Sequence, residues 1–125
     1  MAKRIQQRRT KGWRLPPGAI CVTRGTKWGN PFVIGQRFAV TYFPFGDQPC
    51  NKRVLVSDAA RAVELYEAWL DGRIALGGEW HARRTWIIAN VHELRGKDLA
   101  CWCRLDAEWC HADILLRLAN PQEAD

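Results

Sequence analysis

The sequence predicts a small α/β or α+β protein, a small mixed sheet with about three helices packed on it. Three observations predict this. Apolar residues recur at spacings of three and four in separate stretches after residue 57. Short runs rich in β-formers, such as Ala19–Thr23, sit between turn-forming residues. Helical and extended stretches alternate in the C-terminal half, whereas the N-terminal half is richer in strand-forming residues.

The elements follow in order. Residues 1–12 are polar and lack periodicity, and read as a flexible basic arm. Pro16-Pro17-Gly18 is a turn, and Ala19–Thr23 a strand. Phe32–Ile34 and Arg37–Phe43 read as a hairpin around Gly35, Pro44–Arg53 as a loop, and Val54–Val56 as a short extended piece. Ser57 or Asp58 then caps a helix carrying Ala59, Ala62, Val63, Tyr66, Trp69 and Leu70 on one side, with Gly72 near its end. A second helix is expected over about Glu79–Leu94, with Gly96 just beyond it. Asp98–Cys103 reads as a strand and Arg104–Trp109 as a loop. A last helix runs from about Cys110 to Ala119, stopped by Asn120-Pro121. The expected organisation is an arm (1–12), one globular domain (13–120) and a tail (121–125).

Size and composition narrow the function. A chain of 125 residues, 47% hydrophobic and 26% charged, supports one core without obligatory disulfides. No apolar run reaches the ~18 residues of a membrane helix. The charged N-terminus has no apolar stretch behind it and does not read as a secretory signal. These features predict a cytoplasmic protein without a membrane partner. The charge is lopsided. Nine Lys or Arg and no acid precede Asp47, while residues 47–125 hold all thirteen acids and ten basic residues. A basic third of that kind favours a phosphate-bearing partner, a nucleotide or nucleic acid.

The most informative pattern is Cys101-Trp102-Cys103 followed by Cys110-His111. Residues two apart on a strand share a face, so both sulfurs of the first pair are expected on one side. Together the four residues offer the soft donors that zinc takes. The spacing is not that of a zinc finger, and adjacent Cys110 and His111 diverge by about 100° on a helix. A second reading is therefore a reactive site, in which Cys110 sits at a helix N-terminus with His111 and Asp113 as catalytic partners. A third keeps the cysteines as ordinary core residues.

A second segment, Arg24-Gly25-Thr26-Lys27-Trp28-Gly29-Asn30-Pro31, follows a predicted strand. Its glycines allow backbone amides to approach an anion, and Arg24 and Lys27 supply charge. Trp28 offers a stacking surface, and Asn30 a base-edge contact or a turn lock. Without Gly-Lys-Ser/Thr it is not a Walker loop. In the arm, Arg8, Arg9, Lys11 and Arg14 interleave with Trp13 in a nucleic-acid-binding pattern.

Residues Arg8–Pro16, Lys27–Phe32, Leu99–Cys103 and Cys110–Leu115, in this order, resemble the small phage and bacterial proteins of domain-of-unknown-function family 4326. The resemblance spans about residues 8–120. It implies an intracellular, often phage-encoded single-domain protein and supplies no reaction or residue roles. The expected function is binding of a phosphate-bearing nucleotide or nucleobase in a cleft between the basic Gly/Trp loop and the Cys/His turn, with enzymatic action on it open. Two alternatives stand beside it. One is a zinc-stabilised nucleic-acid-binding protein; the other is a phage-type interaction or inhibitor protein whose Cys/His cluster is structural.

Overall fold

The computed structural model describes residues 2–45, 48–104 and 107–121. Over these described residues it is a mixed α+β structure with three α-helices, one 3-10 turn and two three-stranded sheets. The predicted class holds, with the strands divided between two sheets. Residues 30–88 form one compact unit, and the chain before and after them forms the other. Of the expected tail, residues 122–125 lie outside the described residues, as do 105 and 106 of the loop at 104–109.

The terminal unit is built on three parallel strands, β1 (Arg4–Gln6), β2 (Ile20–Cys21) and, between them in space, a strand late in the chain, Leu99–Cys101. Arg4 and Ile20 both stand level with Leu99. The middle strand is therefore bonded on both sides, Gln7 N–H to the Cys101 carbonyl at 2.7 Å and Val22 N–H to the Ala100 carbonyl at 2.8 Å. Its three residues are fully buried, as an interior parallel strand requires. The segment expected as a flexible arm thus carries β1. Three residues cannot display a period, and the partner that orders them lies some ninety positions away, so no local signal marked the strand.

The central unit holds β3 (Arg37–Phe45), β4 (Gln48–Leu55), helix α1 (Ala59–Asp71), β5 (Ile74–Ala75) and the start of helix α2 (Glu79–Asn90). Its sheet is antiparallel in the order β4-β3-β5. The expected loop over 44–53 is mostly strand. On β4 only Val54 is buried, so no apolar alternation betrays it; the backbone ladder to β3 holds it, and Pro49 is tolerated because β4 is an edge. Asp58 caps α1 by accepting the Arg61 N–H at 2.8 Å. Trp69, Tyr66 and Leu65 of α1 are buried at 0–2% exposure, which makes this helix the centre of the unit's core. Its C-terminus closes on Gly72, which is left-handed at φ 84°. Arg84 of α2 donates to the Trp69 and Leu70 carbonyls at 2.7 and 2.9 Å and so satisfies two of the orphaned acceptors there.

Helix α2 ends at Asn90 and tightens into a 3-10 turn, Val91–Leu94. The strand at Leu99–Cys101, β6, leads to helix α3 (His111–Ala119), which packs on β6, β1 and the 3-10 turn. Asn120 fastens its end, donating to the Leu116 carbonyl and accepting the Gly96 N–H, both at 2.9 Å.

A candidate metal centre at the end of a parallel sheet

Three loops leave the C-terminal ends of β1, β6 and β2, and the predicted cysteines lie on the middle one. Strand β6 stops at Cys101, two residues earlier than expected, and Trp102 and Cys103 lie in a bend. The bend still brings the sulfurs together: Sγ atoms of Cys101, Cys103 and Cys110 all lie within 4.8 Å of one another. Cys101 and Cys110 are 3.3 Å apart and buried, while Cys103 is half-buried.

Helix geometry decides which residues join. Cys110 is the N-cap of α3 with extended backbone, φ −150° and ψ 136°. Its side chain therefore does not follow the helical rotation that sends His111 elsewhere. His111, expected as a fourth ligand and as a catalytic partner, is not in the sulfur group. Its Nε2 faces the Val22 carbonyl, and its ring is 8% exposed. Burial pushes its pKa down despite that carbonyl, so the ring is held neutral. The divergence of adjacent helix-start residues, anticipated from the sequence, is resolved with His111 as a fastener between α3 and the end of β2.

A residue the sequence did not single out completes the centre. The strand register puts Arg4 level with Leu99, on the same sheet face as Cys101. Its side chain is 10% exposed. It donates to Asp113 Oδ2 at 3.1 Å, and to the carbonyls of Ala107 and Arg104 at 2.9 and 3.4 Å. Burial opposes its charge, but Asp113 and the Cys110 and Cys101 sulfurs outweigh burial and hold its pKa up. Asp113, more open at 43%, has its carboxyl pushed up by burial and pulled down by Arg4.

The thiols are not equivalent. Hydrogen bonds with Cys103 and Cys110 push the Cys101 thiol up, and burial adds to this. Hydrogen bonds from Cys101 and Cys110 pull Cys103 down, with Arg4 assisting. Ionisation is thus favoured at Cys103 over Cys101. Arg24, on the loop after β2, interacts electrostatically with Cys103; burial pulls its own pKa down and Cys103 pushes it back.

The basic loop divides. Arg24 and Lys27 are exposed, and Arg24 interacts electrostatically with Cys103. Trp28 is only 7% exposed, so it packs and offers no open face for stacking. Asn30 is 3% exposed and locks a turn in the central unit: it donates to the Ala62 carbonyl and accepts the Phe32 N–H, both at 2.9 Å. Arg8, Arg9, Lys11 and Arg14 are all exposed, and the Arg9 guanidinium lies 5.0 Å from the centre of the Trp102 ring, itself 47% exposed.

Fold and site together define a small α+β protein with a three-cysteine centre that can hold a metal ion at the carboxyl edge of a parallel sheet. The chain belongs to a family described as a domain of unknown function (DUF4326), whose model matches residues 5–121. No curated protein and no solved structure matches it. No helix is long and apolar enough to cross a membrane among the described residues.

Proposed function

We propose that the protein binds a phosphate-bearing nucleotide at the loops leaving the β1–β6–β2 sheet, beside a zinc ion held by Cys101, Cys103 and Cys110. The observation that carries this reading is the three-sulfur cluster at the carboxyl edge of the parallel sheet, with Arg24 of the adjoining loop interacting electrostatically with Cys103. Ligands of open parallel sheets bind outside the carboxyl ends of the strands. A guanidinium there matches a phosphate with two parallel donors. Core cysteines need no cations, whereas thiolates do, and two arginines stand at this cluster. Three thiolates are a soft donor set, which suits zinc among the common divalent ions.

Purified protein is expected to contain one zinc per chain by elemental analysis. At least one member of a nucleotide panel is expected to raise the Tm of the wild type and not of Arg24→Ala. A stable, metal-free protein overturns the zinc assignment. Absence of a shift with every nucleotide overturns the ligand assignment.

A second reading, a zinc-stabilised nucleic-acid-binding protein, draws on the exposed Arg8, Arg9, Lys11 and Arg14 and on the Arg9–Trp102 pair beside Cys103. It predicts RNA or DNA binding that weakens steeply with salt and is lost when these four residues become Gln.

A further inference from the structure

We infer that the centre binds its metal through three protein thiolates only, and that the fourth position takes a neutral exogenous donor, an aromatic ring nitrogen of the kind a nucleobase presents. The inference rests on the metal reading above and adds the coordination and the class of ligand.

The donor count comes first. Among the described residues no His nitrogen or carboxylate oxygen joins the three sulfurs. The neighbouring candidates are engaged elsewhere: His111 with Val22, Asp113 with Arg4, and the Cys21 thiol with Gln7 Oε1 at 2.9 Å. A tetrahedral zinc with sulfurs at ~2.3 Å separates them by about 3.8 Å. The Cys101–Cys110 distance of 3.3 Å and the 4.8 Å limit on the group bracket that value. The sulfurs are thus placed for one ion with little movement. Structural zinc sites close with four protein ligands, whereas three leave a position for an exchangeable one.

Exposure shows where that position lies. Cys101 and Cys110 are buried and Cys103 is half-buried, so the cluster opens on the Cys103 side. Arg24, exposed on the loop after β2, interacts electrostatically with Cys103, the open member of the cluster. Charge then selects the donor. Metal-bound cysteines are thiolates, so three of them with a divalent ion leave one net negative charge. Arg24 offsets it, while Arg4 and Asp113 balance each other. A neutral donor preserves this balance in a half-buried site, and an anion breaks it. A nucleotide offers both parts: ring nitrogens for the metal and phosphate for exposed cations such as Lys27.

The test is Co(II) substitution of the full-length protein, read by its visible ligand-field and sulfur-to-metal charge-transfer bands. Imidazole is expected to shift the ligand-field bands saturably and to bind about tenfold more tightly than azide. His111→Gln, which keeps a donor for the Val22 carbonyl, is expected to leave the starting spectrum unchanged. Bands that do not respond to imidazole, azide binding as tight as imidazole, or a spectrum altered by His111→Gln overturn the inference. Failure of the wild type to take up cobalt or zinc overturns the metal reading beneath it, and elemental analysis distinguishes that case directly.

Discussion

The turn at Cys101–Asp113 and the loop at Arg24–Phe32 both carry site chemistry in the sequence, yet they spend their polar groups in opposite ways. In the loop, both ends of the Asn30 amide are consumed inside the fold, by Phe32 and Ala62. In the turn, the three sulfurs meet mainly one another and two guanidiniums. The first pattern fastens a chain reversal. The second gathers three sulfurs that can hold a metal ion. Residue type alone does not separate the two; a count of where each donor and acceptor is satisfied does.

The comparison breaks most sharply at Cys110. Cys110→Ser is expected to lower zinc from one per chain to below about a tenth, because soft thiolate ligation is lost. Metal at a hundred times its Kd stabilises the folded state by about 2.7 kcal/mol, so the Tm falls by roughly 10 °C. Chelation of the wild type gives the same fall and leaves the Tm of Cys110→Ser unmoved. Equal sensitivity of the two proteins to chelation breaks the assignment and returns Cys110 to the core.

Asn30→Ala probes the other side. Truncation leaves the buried Phe32 N–H without its acceptor, while the Ala62 carbonyl keeps its place in α1. The orphaned donor costs about 2 kcal/mol, measurable as a lower urea midpoint at unchanged slope. Zinc content and nucleotide response are expected to stay at wild-type levels. Loss of zinc in this variant erases the distinction between fastener and centre.

How much of this was legible in the sequence depends on the range over which each feature is decided. The helices α1 and α3 were legible because apolar spacing and caps are local: Asp58 and Cys110 stand at the helix starts as expected. The sulfur trio was legible because all three cysteines lie within ten residues of one another. Arg4 was not, since only the parallel pairing of β1 with β6 brings it to Cys110. The strand β4 was hidden because its side chains are mostly exposed and carry no period. His111 was legible only in part: its divergence from Cys110 follows from helix geometry, but its partner, the Val22 carbonyl, lies 89 residues away in sequence.

Gly29 lies within the loop, beside Asn30, and gives the most diagnostic effect. A Cβ built on it meets the Arg24 backbone, 2.3 Å from the carbonyl oxygen and 2.6 Å from the carbonyl carbon. Both atoms are backbone, so no side chain can rotate away, and the exposed Arg24–Lys27 stretch must shift instead. Gly29→Ala is therefore expected to cost about 1–3 kcal/mol, the range of overpacking, taken up by movement of the Arg24–Lys27 stretch. The displacement moves Arg24 while the cysteines stay in place. Zinc stoichiometry should hold and the nucleotide-induced Tm shift should fall with it toward that of Arg24→Ala. Preserved nucleotide response in Gly29→Ala, with the loop displaced, separates Arg24 from the ligand and leaves the sulfur centre to stand alone.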